Sequence, residues 1–189
     1  MERNKVHTLV LYALFVGMIF VLGLTPIGLI PLPFINVTIL HIPTIIGTIL
    51  LGGKAGLLFG FFFGTVSFIR APTSGFAGML YAENIFFTIL MCYIPRLLVP
   101  VITHVVYRFL AERKSKISVT LAAVCGSLTN TIGYLGLMLL FFALCGLDSA
   151  AVLGMIGTTG VIAGPLEAIA AAIIATPLVA ALKRMKYFQ

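Results

Sequence analysis

Charged residues are scarce in this chain of 189 residues, because Asp, Glu, Lys and Arg together make up only 9% of it. A soluble globular domain has about a quarter of its residues charged. Between Lys5 and Lys54 none of these four residue types occurs, and about 20 consecutive apolar residues are enough for one helical crossing of a bilayer. Together with a mean hydropathy of +1.19, this scarcity predicts an integral membrane protein rather than a helical subunit buried in a soluble complex.

Signatures of catalysis and of metal binding are also lacking. The three cysteines lie in or beside apolar segments without C-x-x-C spacing or an accompanying His cluster, which favours buried thiols over disulfides or metal ligands. There is no phosphate-binding loop of the Walker type, no HExxH, no GxSxG and no pair of carboxylates within one apolar segment. We therefore predict that the chain is not an enzyme, hydrolyses no ATP itself, and needs no cofactor or metal.

Apolar segments predict an all-α integral membrane fold, a compact bundle of six transmembrane helices that forms a single domain over residues 1–189. Only Gly52, Gly53 and Lys54 separate the second segment from the third, which predicts a tight helical hairpin. The segments lie at about 7–25, 38–52, 54–70, 84–107, 118–145 and 155–182.

Basic residues fall at alternate ends of these segments. Ten of the twelve cations lie before the first span, at the turn after the second, after the fourth or after the sixth. Because Lys and Arg concentrate on the cytoplasmic side of membrane proteins, this pattern predicts that both termini are cytoplasmic. It also accounts for the net charge of +7 without nucleic-acid binding. The ten are Arg3, Lys5, Lys54, Arg108, Arg113, Lys114, Lys116, Lys183, Arg184 and Lys186.

Irregular backbone and small residues mark two further features. Residues 25–36 contain three prolines and a glycine and stay apolar, so this proline-rich outer loop is either a lid over the outer end of the bundle or an interfacial loop. Small residues recur at four-residue spacing on the third and first spans, which suits either internal packing or docking of a membrane partner. They are Gly52, Gly56, Gly60 and Gly64, and Ala13 and Gly17.

Polar groups inside apolar segments are candidates for substrate binding, since an ionisable residue in a bilayer is costly unless it is paired or wetted. Arg96 and Glu167 lie within the fourth and sixth spans and are expected either to pair with each other or to line a pocket. Arg96 or Arg70 would offer a bidentate fork to a substrate carboxylate. His41 is expected to be either a core histidine or a ligand contact. The other candidates are Asn130, Thr129, Thr131, Asn36, Phe68 and Tyr134.

Several segments resemble the substrate-binding S components of energy-coupling factor (ECF) vitamin transporters. The similarity extends over nearly the whole chain and includes the proline-rich first outer loop and the hairpin of the second and third helices. The segments that carry it are Ile39–Gly60 with Ser67–Ala71, then Ile94–Leu98 (IPRLL), Gly126–Thr131 (GSLTNT) and Pro165–Ala168 (PLEA).

The resemblance implies a binding subunit in a bacterial cytoplasmic membrane. Such proteins bind one vitamin near the outer face, close the first outer loop over it, and work with a transmembrane coupling subunit (T component) and two cytoplasmic ATPases. The family docks through Ala-xxx-Ala on its first helix, which corresponds here to Ala13-xxx-Gly17. The sequence is most similar to the pantothenate type, with the hydroxymethylpyrimidine and pyridoxine types as alternatives. From the residues alone, a secondary transporter and an intramembrane enzyme or scaffold remain open.

Overall fold

Helices dominate the computed structural model of the protein, which describes residues 2–31, 36–113 and 117–184. Two three-residue strands, β1 (Leu29–Pro31) and β2 (Asn36–Thr38), and short 3-10 turns at Pro26–Gly28 and Ala71–Thr73 join the first helices. A π-helical turn at Ile156–Gly160 precedes the last helix. The helices are α1 (Glu2–Leu24), α2 (His41–Leu51), α3 (Gly53–Arg70), α4 (Gly75–Glu83), α5 (Ile85–Glu112), α6 (Ser118–Leu144), α7 (Ser149–Met155) and α8 (Val161–Lys183).

Five stretches of the described chain are long and apolar enough to cross a membrane, at Val6–Leu24, Gly53–Thr73, Ile85–Glu112, Ser118–Leu144 and Val161–Lys183. Large apolar side chains on their outer faces are exposed, such as Leu9 (69%) and Ile132 (70%). Such faces suit contact with lipid. The chain is therefore a multi-pass membrane protein, as the sequence predicts.

The second predicted span is not confirmed as a full crossing. Residues 38–52 contain the 11-residue helix α2, which at 1.5 Å per residue is about 16 Å long, against about 30 Å of hydrocarbon. Its first nine residues, His41–Ile49, are all buried. An apolar helix that is buried all round belongs to the core of a bundle, so α2 is the central helix, and it contacts α1, α3, α5, α6 and α8.

Two short helices were not predicted. Helix α4 lies between the third and fourth spans, and Asn84 separates it from α5 by capping α5 with its side-chain oxygen, which accepts from the backbone N–H groups of Phe86 and Phe87. Helix α7 follows Asp148, whose carboxylate caps it in the same way. The predicted sixth span, 155–182, consequently begins later, with α8 after the π-helical turn.

The proline-rich outer loop contains an antiparallel hairpin that the all-α prediction did not include. Strand β1 pairs with β2 in the register Leu29↔Thr38, Ile30↔Val37 and Pro31↔Asn36. The tip of the predicted lid, residues 32–35, lies outside the described residues, and so does the side chain of Asn36. The hairpin thus ends on Thr38, three residues before the start of the central helix at His41.

The glycine stripe is explained by packing within the chain. Gly52 has φ +89°, which favours glycine, and it forms the turn between α2 and α3. A Cβ on Gly60 would lie 2.5 Å from the carbonyl oxygen of Arg96 on α5, and one on Gly56 would lie 2.8 Å from Pro100. The predicted partner docking of Gly56 and Gly60 is thereby replaced by close contact of α3 with α5, whereas Gly17 faces open space.

The two ends of the bundle differ in charge. At one end, the His104 ring of α5 lies against Gly53, and Lys183 of α8 contacts the Tyr107 ring and hydroxyl of α5. Lys54, Arg108 and Arg184, which the sequence assigns to the cytoplasm, belong to the same end. Lys114, Lys116 and Lys186, and the side chains of Arg3 and Lys5, lie outside the described residues. The hairpin, the end of α3 and the start of α8 lie towards the opposite end.

Candidate substrate-binding site

A cavity of about 620 Å³ lies among the hairpin, α3, α4, α5, α6 and α8. Buried apolar side chains form two clusters in the described part of the chain, one around α1–α3 and one around α4–α7. The cavity lies between them, since Phe63 of the first cluster and Met138 of the second both line it. Its polar lining consists of Thr38, Ser67, Arg70, Thr73, Ser74, Arg96, Asn130, Thr131, Tyr134 and Glu167.

Arg96 is held by a local consequence of the sequence Ile94-Pro-Arg. A proline has no backbone N–H to donate to the carbonyl four residues earlier, so Pro95 leaves the carbonyl of Met91 without its helical partner. Nη1 of Arg96 donates to that carbonyl at 3.2 Å. The side chain is only 6% exposed although it lines the cavity. The proline thus creates an acceptor that fixes one side of the guanidinium.

Aromatic rings hold the rest of the Arg96 guanidinium. Its Cζ lies 4.3 Å from the ring centroid of Tyr134 and 5.3 Å from that of Phe63, within the range of cation–π attraction. Nε has no hydrogen-bond partner, and no carboxylate of the described residues lies within ion-pair distance. A buried guanidinium without an anionic partner has N–H donors available for an anion.

Glu167 binds hydroxyl and amide groups instead of Arg96. Its Oε1 accepts hydrogen bonds from the backbone N–H and the hydroxyl of Thr38, both at 2.8 Å, and its Oε2 accepts from the Thr131 hydroxyl at 3.0 Å. The alternative prediction, that Arg96 and Glu167 form an ion pair, is therefore wrong. The carboxylate ties the hairpin, α6 and α8 together at the wall of the cavity.

Arg70 and Asn130 complete the predicted polar groups of the cavity wall. Nη1 of Arg70 donates at 2.8 Å to the carbonyl of Gly23, in the last turn of α1, where helix carbonyls lack intrahelical partners. Part of this guanidinium is thus committed to the fold. Asn130 is 6% exposed and its Oδ1 has no partner among the described residues, so this side chain is the freer of the two to bind a solute.

Other predicted site residues do not line the cavity. Thr129 turns its hydroxyl to the carbonyl of Cys125 at 2.7 Å, and the Phe68 ring packs on Tyr81 with centroids 5.9 Å apart. His41 is fully buried and also lies outside the cavity lining. The structure therefore brings together Arg96, Asn130, Glu167, Arg70, Thr131 and Tyr134 from the predicted set.

Some lining residues were missed by reasoning from the sequence. Thr38 begins the second apolar segment and Phe63 lies within the third, and neither residue type is unusual in a membrane helix. Residues 73–76 line the cavity because the 3-10 turn and α4 fold over its side. The Ala-Pro-Thr-Ser-Gly sequence after Arg70 is a signal that could have found them, since such residues interrupt a helix.

A membrane bundle that encloses a polar, cation-containing cavity near one end is of the class that captures a small polar solute. The chain belongs to the family described as "ECF transporter, substrate-specific component", which matches residues 7–179. It is also 31% identical over 159 residues to the pantothenic acid transporter PanT of Lactococcus lactis subsp. cremoris, an alignment that covers 75% of this chain and 77% of that protein. The chain is therefore a transporter component and not an enzyme.

Proposed function

We propose that the chain is the pantothenate-binding subunit of an ATP-driven ECF importer in a bacterial cytoplasmic membrane. The observation that carries the proposal is the buried guanidinium of Arg96, which lines the cavity without an anionic partner. Membrane proteins keep an ionisable residue inside the bilayer where it serves a function. A carboxylate is the substrate group that matches a guanidinium fork.

The remaining groups of the cavity suit the rest of pantothenate, which has an amide and hydroxyl groups besides its carboxylate. The Asn130 side chain can both donate to and accept from such groups, and Thr131 lies one residue further along α6. The Tyr134 and Phe63 rings form an apolar wall beside Arg96. A cavity of about 620 Å³ is within the usual range for small-molecule sites.

The similarity to PanT of L. lactis supports the choice of pantothenate over the other vitamins bound by this family. Hydroxymethylpyrimidine and pyridoxine are not carboxylic acids, and a receptor built around an unpaired guanidinium would gain less from either. They are therefore the alternatives that the binding experiment has to exclude.

In the proposed importer, both termini face the cytoplasm and the cavity receives its solute from outside. A T component and two ATPases are separate chains that supply the energy. Ala13 and Gly17 are both exposed on α1, and a side chain on Gly17 would meet no atom within 4 Å. An exposed pair of small residues lets another helix approach closely, so we assign docking of the T component to this face.

The test is binding by the purified chain without any partner. We expect detergent-extracted protein to release pantothenate when its small molecules are identified by mass spectrometry, and to bind labelled pantothenate in competition with an excess of pyridoxine or hydroxymethylpyrimidine. Uptake into vesicles should require the T component, both ATPases and ATP. Displacement by pyridoxine would refute the vitamin assignment, and uptake by this chain alone under an ion gradient would favour a secondary transporter.

A further inference from the structure

The carboxylate of Glu167 joins three separate segments at the wall of the cavity. It lies on α8, it accepts two hydrogen bonds from Thr38 at the end of β2, and it accepts one from Thr131 on α6. The side chain is 6% exposed. Hydrogen bonds to an ionised acceptor are roughly twice as strong as those between neutral groups. These three bonds should therefore hold the hairpin more strongly than neutral hydrogen bonds of the same number.

The described strands of the hairpin are short. Its described pairing comprises three residue pairs, Leu29↔Thr38 to Pro31↔Asn36, and an isolated two-stranded hairpin is marginally stable at best. Thr38 is the last residue of β2 and is followed within three residues by the buried helix α2. A bond from Thr38 to α8 therefore fixes the inner end of the hairpin against the cavity wall.

We propose that Glu167 is a positioning residue that clamps the β1–β2 hairpin to α6 and α8 and thereby slows the escape of bound solute. In this role the carboxylate acts through Thr38 and Thr131 and does not itself recognise the substrate. The clamp exists without ligand; only its effect on solute release rests on the proposed function.

A variant at Thr38 tests the clamp without changing the charge of Glu167. Replacing Glu167 by Gln removes a negative charge from the cavity wall. This change should strengthen the binding of an anionic substrate at Arg96, and it would mask the faster release that loss of the clamp causes. Thr38→Val keeps the charge, the side-chain shape and the backbone bond, and removes only the hydroxyl bond. The matched control is Thr176→Val, since the Thr176 hydroxyl bonds that of Thr120 at 2.9 Å across α8 and α6, away from the cavity.

The first measurement uses ligand-free protein. Hydrogen–deuterium exchange is followed in peptides that contain Thr38, whose amide donates to Glu167. Protection of this amide should fall by about tenfold in Glu167→Gln, since a charged acceptor is replaced by a neutral one, and should be unchanged in Thr176→Val. Unchanged exchange in Glu167→Gln overturns the clamp, whether or not the chain binds a vitamin.

The second measurement is the dissociation rate of labelled pantothenate after a chase with unlabelled ligand. Thr38→Val should release the ligand about tenfold faster than wild type, the lower end of the range expected for one hydrogen bond to a charged group. Thermal unfolding without ligand checks that each variant is folded. If the wild-type chain binds no pantothenate, the proposed function fails, and the exchange experiment still decides the clamp.

A pantothenate analogue without its hydroxyl groups distinguishes a clamp from a direct contact. Clamp loss should raise the dissociation rates of pantothenate and of the analogue by the same factor. If Glu167→Gln weakens binding of pantothenate alone, while exchange at Thr38 stays as in wild type, then Glu167 is a substrate contact and the proposal is wrong.

Discussion

Replacing Arg96 by Met tests the proposal that this residue binds the substrate carboxylate, because the replacement should weaken ligand binding without lowering the stability of the ligand-free protein. Methionine has a similar length and packs favourably against aromatic rings, so it can occupy the space beside Tyr134 and Phe63. Removing one member of a buried charge pair costs about 2–4 kcal/mol in binding, or roughly 30- to 1,000-fold in Kd. Without ligand, however, the variant loses a buried cation that has no anionic partner. Its stability should therefore stay level or rise.

The assay pairs two ligands with three proteins. Pantothenate and its carboxamide analogue are titrated into wild type, Arg96→Met and the matched control Arg108→Met by isothermal calorimetry in the same detergent. Arg108 is a surface residue whose side chain is 73% exposed. Wild type and the control should prefer the acid over the amide, whereas Arg96→Met should bind both ligands equally weakly. Thermal unfolding of the ligand-free proteins supplies the second readout.

Two results would refute this reasoning. If Arg96→Met binds pantothenate with wild-type affinity, the carboxylate binds elsewhere, and Arg70 becomes the candidate. If acid and amide lose affinity by the same factor and the ligand-free protein is also less stable, Arg96 serves the packing of α5 and recognises no charge.

Three further variants test other parts of the structure. Asn130→Ala should weaken pantothenate binding about tenfold through the loss of an amide hydrogen bond, whereas Thr129→Ala, whose hydroxyl faces its own helix, should bind as wild type in the same titration. Gly60→Ala puts a Cβ 2.5 Å from a backbone oxygen of α5 and should lower stability by about 1–3 kcal/mol in thermal unfolding; Gly136→Ala, which meets no atom within 4 Å, should not. Gly17→Leu should leave pantothenate affinity unchanged and reduce co-purification with the T component.

Among the residues that line the cavity, sequence reasoning picked those that are anomalous for their surroundings. A cation in an apolar run, a carboxylate within the last span and an amide in the middle of a span each cost free energy in a bilayer, which is why Arg96, Glu167 and Asn130 could be picked from the sequence. Threonine and phenylalanine carry no such free-energy cost in a membrane helix, so Thr38 and Phe63 could not be picked in the same way. Their roles follow from three-dimensional packing that no local pattern specifies.

The fold was predictable to the same degree. Long apolar segments predict crossings because their length and composition are sufficient, and five of the six predicted segments contain a helix of that length. The segment 38–52 differs because its first residue, Thr38, pairs in the hairpin and the rest forms a short central helix. Hydropathy cannot separate a lipid-facing helix from one buried in a bundle, since both are apolar. The glycine stripe was ambiguous for a similar reason, because close approach of an internal helix and of a partner helix need the same small residues.

The prolines of α5 explain the position of the Arg96 guanidinium, the proposed anion receptor. Pro95 frees the carbonyl of Met91, which the Arg96 guanidinium then binds. Pro100 has the same effect one turn later on the carbonyl of Arg96 itself, and Gly60 lets α3 approach that carbonyl closely. The backbone of α5 thus orients the guanidinium before any solute arrives. Because this order is built into the helix, a bound carboxylate does not have to organise the side chain, and less of its interaction energy is lost to ordering.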